Sequence, residues 1–220
     1  MAERYGIPTP RVIRNMPEVT GGGDRQLPAL RDGVPVEKRV VFYSGRMQPT
    51  RGLEQLIAAL ADMDDCVLVV LGSGEDDYVE HLRALAEGAG AADRMIIRPP
   101  VRPSEVVAAT AGADVGVVLN RNVSLNNFLS LPNKIYEYIA AGLPVVTSNS
   151  PEMTQLVTEY DVGETCDPES PADISRAIRA VLDHRERLRA NALQASPEMT
   201  WERESERFMA AVRELTASSR

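Results

Sequence analysis

From Arg39 onward the chain alternates between short unbroken apolar runs and longer stretches in which apolar residues return every three or four positions. The runs are "RVVFYS" (Arg39–Ser44), "CVLVVLG" (Cys66–Gly72), "MIIR" (Met95–Arg98), "VGVVL" (Val115–Leu119) and "PVVTS" (Pro144–Ser148). None interleaves polar positions, so each reads as a strand buried on both faces, as in a parallel sheet covered by helices. Between them the spacing predicts helices. Gly52–Leu60 puts Leu53, Leu56, Ile57 and Leu60 on one face. Val79–Glu87 and Pro103–Thr110 follow. "SLPNKIYEYIAAGLPVVTS" (Ser130–Ser148) has Pro132 in its first helical turn and stops at Gly142 and Pro144. Ser150–Glu159, Asp173–His184 and Trp201–Leu215 complete the helical series.

Repeated β-α units of this kind predict an α/β fold with a single Rossmann-like, doubly wound parallel sheet. Residues 1–38 differ. They are rich in Pro and Gly and read as a linker: an extended stretch, "RVIRN", and a flexible connector, "TGGGDRQLP". The expected division is 1–38 linker and 39–220 domain.

Composition narrows the function classes. The 220 residues carry 24 basic and 32 acidic side chains, net charge −8. A general nucleic-acid binder needs the opposite balance. An aromatic content of 5% leaves few surfaces for stacking bases. Cys66 and Cys166 are expected to be unpaired thiols, Cys66 within a buried strand. No Cys/His cluster has metal-ligand spacing, so no metal is expected. No run is long enough to span a bilayer and "MAERYGIPTP" lacks a signal-peptide core, so the expected compartment is the cytoplasm.

In a doubly wound sheet, ligands sit beyond the carboxyl ends of the strands. Four loops lie there. In "SGRMQPTRGLEQL" (Ser44–Leu56), Gly45 lets the chain turn off the strand and Arg46 and Arg51 bracket a helix start. Two guanidiniums there suit a diphosphate, although composition alone favours ordinary surface arginines. "LGSGEDDYVEHL" (Leu71–Leu82) has part of a dinucleotide glycine pattern, but Asp77 stands at the third glycine and its acids repel phosphate. It reads as a structural turn whose acids complement the helix dipole. "IIRPPVRPSEV" (Ile96–Val106) is either a rigid turn or a ledge for a flat ring. In the fourth, Asn133 and Glu137 share the helix face opposite Ile135 and Ile139. Glu137 there is either a solvated acid or an acceptor for two sugar hydroxyls. His81 and His184 read as surface residues with no nucleophile beside them.

Together, "YSGRMQPTRGLEQLI", "VLVVLGSGEDD" and "LPNKIYEYIAAGLPVVTSNSPEM" resemble the C-terminal half of the GT-B glycosyltransferases, in particular the retaining group 1, or family 4. The resemblance runs from Arg39 to about Leu215, and "YGIPTPRVIRNMPE" looks like the family's interdomain linker. It implies a donor-binding domain of a hexosyltransferase, taking a nucleotide-diphosphate sugar, with no cofactor and no metal. Arg46 and Arg51 match the cations on the donor diphosphate; the second is usually lysine. They are the expected catalytic groups, with Gly45 on their loop. Glu137 matches the glutamate that holds the ribose. Arg98 matches a position whose backbone meets the base, and the turn Leu129–Asn133, including Leu131, Pro132 and Asn133, matches amides that meet phosphate and sugar. Leu129 stands where the family often has a second acid, and Pro99 where glycine is common. The family's acceptor site belongs to an N-terminal domain, which would be part of a longer protein or a separate chain. Two further readings are a non-catalytic nucleotide-binding module that docks on a partner, and an NAD-type Rossmann enzyme, which the glycine pattern disfavours.

Overall fold

The computed structural model describes residues 6–7, 9–18, 30–110 and 112–218, the side chains of 217 and 218 excepted. The sheet has six strands, all parallel: β1 (Arg39–Ser44), β2 (Cys66–Leu71), β3 (Met95–Arg98), β4 (Val115–Val118), β5 (Val145–Ser148) and β6 (Gly163–Cys166). Their order is β3-β2-β1-β4-β5-β6. The expected doubly wound α/β sheet is therefore present. Winding reverses between β1 and β4, and a crevice opens above their carboxyl ends.

Helices cover both faces. One face packs α1 (Leu53–Ala59), α2 (Asp76–Gly88) and α7 (Pro171–Asp183) against Val41, Tyr43, Leu68, Val70, Val115 and Val117. The other packs α5 (Asn133–Ala140), α6 (Pro151–Tyr160) and α8 (Arg185–Ala195) against Val40, Phe42, Val67, Val69 and Val145. Each central strand thus divides its side chains between two apolar layers, which is why none shows polar alternation. α3 (Val106–Ala109) and α4 (Leu125–Phe128) are single turns. The terminal helix α9 spans Trp201–Ser218.

Several expected bounds shift. Pro103–Glu105 is a 3-10 turn and only Val106–Ala109 is α-helical, a turn shorter than the periodicity suggested. Pro132 is extended, with φ −66° and ψ 143°, and caps α5 from outside it. Strand β6, "GETC", and helix α8, "RERLRANALQA", had no counterpart in the sequence reading. β6 is an edge strand, mostly half-buried, with little apolar signal. α8 buries only Leu188, Ala192 and Ala195.

The expected connector, Thr20–Pro28, lies outside the described residues. The flanking stretches are docked. Met16, Leu30 and Val34 join the second apolar layer. The Arg14 amide donates to buried Glu204 of α9 at 2.7 Å, and the Trp201 amide to the Pro17 carbonyl at 2.8 Å. At the other end of the sheet, buried Asp114 accepts from the Val40 amide and pairs with Arg31, Arg39 and Arg185. Phe208 and Met209 leave an apolar strip of α9 exposed. Both thiols are free and buried, and burial pushes Cys66 up to about 11 and Cys166 up to about 12.

Candidate functional site

A cleft of about 520 Å3 opens above β1, β2 and β4, where the winding reverses. Small-molecule sites run from roughly 300 to 1,000 Å3. Its wall includes Gly45, Arg46, Arg51, Pro132, Asn133 and Glu137, brought together from two distant segments of the chain.

The β1 loop is shaped by glycine. Gly45 has φ 114°, which lets the chain leave the strand sideways. Its amide donates to the Leu71 carbonyl at 2.9 Å, and a Cβ on Gly72 would collide with the Gly45 carbonyl. The two loops therefore touch backbone to backbone. Tyr43 Oη donates to the Arg46 carbonyl at 2.7 Å and fixes the turn from below. Gly52, φ 68°, then starts α1; a Cβ there would lie 2.5 Å from the Leu119 carbonyl oxygen.

The two arginines are held differently. Arg46 is exposed and its Nη2 pairs with Glu75 of the neighbouring loop. Glu75 stands immediately before α2, with Asp76 and Asp77 in the first turn, where acids complement the helix dipole as expected; its carboxylate also faces Arg46. Arg51 is half-buried, and its Nη1 donates to Asn120 Oδ1 at 2.9 Å. Asn120, just past β4, is itself buried. Its Nδ2 donates to Ser130 Oγ at 3.1 Å, and Ser148 Oγ donates to its carbonyl at 2.7 Å. A polar relay thus joins the β1 loop, the end of β4, the segment before α5 and the end of β5.

Helix α5 supplies the opposite wall. Ile135 and Ile139 are buried, so Asn133 and Glu137 face outward, as their spacing predicted. Tyr138, also buried, accepts from the Ser44 amide at 2.7 Å, which ties the helix to the tip of β1. Gly116 makes room for that ring; a Cβ there would strike it. Burial raises the Glu137 carboxyl above its ordinary range, and Lys134 partly opposes the shift. Lys134 also lines the cleft, with Nζ 3.7 Å above the centre of the Tyr43 ring.

Two expected residues fall elsewhere. Arg98 does not line the cleft: its carbonyl accepts the Gly72 amide at 3.0 Å inside the sheet ladder, and its Nη2 donates to the Asp32 carbonyl. Pro100, Val101 and Pro103, just beyond it, form that wall instead. Leu131 faces a smaller cavity beneath the N-terminal segment, beside Met16 and Tyr136. On an extended backbone a side chain next to Pro132 points away from its neighbour's. Asn120, Asn126, Asn127 and Lys134 are cleft residues that sequence reasoning missed, whereas Ser130 falls within the expected turn Leu129–Asn133. Only Lys134 carried a signal, a lysine inside an apolar helix start.

His81 and His184 are exposed and outside the cleft, as expected. Among the described residues, no helix is long and apolar enough to cross a membrane.

Comparison with known proteins identifies the family and the fold. Residues 31–198 match the family described as glycosyl transferases group 1. The chain is 32% identical over 212 residues to a D-inositol 3-phosphate glycosyltransferase of Geodermatophilus obscurus, covering 90% of this chain and 46% of that one. It therefore spans about half the length of such relatives. Among solved structures, sucrose-phosphate synthase from Thermosynechococcus elongatus superposes with a TM-score of 0.74 at 20% identity, over 86% of this chain and 48% of that one. Anabaena HepE in complex with UDP superposes with a TM-score of 0.71 at 20% identity, over 84% of this chain and 51% of that one. The chain belongs to the group 1 glycosyl transferases, and its fold is that of the C-terminal, Rossmann-like half of a GT-B enzyme.

Proposed function

We propose that this domain binds a nucleotide-diphosphate sugar as the donor half of a retaining glycosyltransferase. The supporting observation is the convergence of Arg46, Arg51 and the amino end of α5 on one cleft, with Glu137 a turn further along the helix. In an acidic protein of net charge −8, this is a concentrated anion site. The diphosphate lies between the arginines and the first turn of α5. The ribose reaches Glu137, whose carboxylate accepts two hydroxyl hydrogens. The base leans on Pro100, Val101 and Pro103. The UDP named with the Anabaena protein has this chemistry.

When the glycosidic bond breaks, negative charge gathers on the leaving diphosphate. Fixed guanidiniums and helix amides stabilise it without reorganising. The reading invokes no metal. The acceptor is held by an N-terminal domain, on the same or a separate chain, so the 220-residue chain binds donor and transfers nothing. Calorimetry against uridine, guanosine and thymidine diphosphates, beside a labelled-sugar transfer assay, tests this. Binding of one diphosphate without turnover is expected. No binding of any of them overturns the donor reading, and turnover by this chain alone overturns the half-enzyme reading.

A second reading is a nucleotide-binding module without catalysis, docked on a partner. Leu129, 51% exposed where the family often has an acid, favours it. Addition of an N-terminal GT-B domain that leaves the chain inactive would select it.

A further inference from the structure

Lys134 is the one lysine on the cleft wall. It sits inside the first turn of α5, where a helix favours anions over cations. Its Nζ rests on the face of Tyr43, and a Cβ on Gly45 would lie 3.4 Å from it. The amine thus lies directly against the backbone of the phosphate loop. The groups facing it are Tyr43 on β1, Arg51 on the loop after β1, and Glu137 one turn along its own helix. It forms no ion pair with a carboxylate among the described residues. Arg46 and Asn120 share the wall, with Arg46 paired to Glu75.

We propose that Lys134 is a third phosphate-binding group of this cleft, and that it takes up a proton from solvent as the diphosphate enters. The proposal rests on the donor reading above and adds to it a residue and a proton. Its logic is electrostatic. An amine buried beside a fixed guanidinium, with no carboxylate in contact, gains little by being charged. A diphosphate brings about two to three negative charges into the same space and reverses that balance. The nearby Tyr43 ring then stacks under an ammonium, where it stabilises the charged form. Burial first, then Arg51, hold the free amine down to about 7, against a slight opposing pull from Glu137. Tyr43 and Tyr138 are both raised by burial, so neither titrates in the range that matters. The terminal phosphate of a free nucleotide titrates near pH 6, well below it.

The test uses the full 220-residue chain and uridine diphosphate, with inorganic pyrophosphate as a second probe. Calorimetry at about pH 8.5, in two buffers of different protonation heat, reads the protons taken up per ligand bound. Close to one proton is expected, and affinity should fall by up to roughly tenfold per pH unit between about pH 8 and 9.5. Both probes should show it, because the contact is to phosphate. Lys134→Arg stays charged, so it should bind without uptake and with a flat pH profile. Lys134→Met should bind more weakly, also without uptake. Wild-type binding with no uptake overturns the proposal while leaving the donor reading intact. So does uptake that persists in Lys134→Met. Failure of both probes to bind at any pH overturns the donor reading, and this inference with it.

Discussion

Arg51 and Asn120 meet across the point where the sheet reverses, the arginine from the loop after β1 and the asparagine from the end of β4, with Nη1 donating to Oδ1 at 2.9 Å. The bond is more than a side-chain rest. Asn120 is buried and is gripped by Ser130 and Ser148, so the guanidinium is anchored to the sheet itself. Preorganised charge of this kind acts at full strength because nothing must move when a ligand arrives.

Asn120→Ala removes that anchor. Arg51 loses its acceptor, and Ser130 Oγ loses its donor. Leaving such groups unpaired costs about 1–3 kcal/mol. Thermal unfolding should show a Tm lowered by roughly 3–10 °C, and uridine diphosphate should bind more weakly. An unchanged Tm together with unchanged affinity would remove Asn120 from the site.

Arg46 is restrained by Glu75 rather than by the sheet. Both side chains are exposed, so the pair itself contributes little. Glu75→Gln frees the guanidinium and removes a charge that repels phosphate. Pyrophosphate affinity should rise by about two- to fivefold at low ionic strength, and the gain should vanish in high salt. A loss of affinity would mean that Glu75 positions Arg46 productively.

Glu137→Gln should separate two ligands. A carboxylate bond to ribose is worth about 1.5–3 kcal/mol, and pyrophosphate has no ribose. Uridine diphosphate should weaken and pyrophosphate should not; equal losses would place Glu137 elsewhere.

The same variant should be more stable than wild type near neutral pH. Burial raises the Glu137 carboxyl in the folded state. The folded protein then holds this proton more tightly than the unfolded chain, so stability is lost as pH rises from the unfolded carboxyl range through the folded one. Glutamine has no such loss. Its advantage in Tm should be largest above that window and shrink as pH falls below about 4. An advantage that does not change with pH would contradict the burial argument.

The central strands and the phosphate loop were legible because each is written locally. Val40–Tyr43 and Val67–Leu71 announce two-sided burial by lacking polar positions, and Gly45-Arg46 with Arg51-Gly52 encodes a turn, two cations and a helix start within eight residues. What escaped is carried by neighbours distant in sequence. "GETC" becomes a strand only because β5 offers it an edge. The charged α8 buries only Leu188, Ala192 and Ala195, which make no clear stripe. Asn120 and Tyr138 gain their roles from Arg51 and Ser44, 69 and 94 positions away. Arg98 and Leu131 went astray for the converse reason. Leu131 adjoins the cleft-lining Pro132, and an extended backbone sends adjacent side chains to opposite sides; Arg98 ends its strand two residues before the cleft-lining Pro100, with its carbonyl taken by the Gly72 amide.

The most direct measurement is calorimetric titration of uridine diphosphate into the wild-type chain and into the Arg46→Ala, Arg51→Ala double variant. Each charge-assisted contact contributes about 1.5–3 kcal/mol, so the double variant should lose at least roughly a hundredfold in affinity. Arg46→Ala alone should account for the larger part, Arg51→Ala for somewhat less, and His81→Ala for none. Wild-type binding that survives unchanged in the double variant would contradict the assignment of this cleft as the diphosphate site.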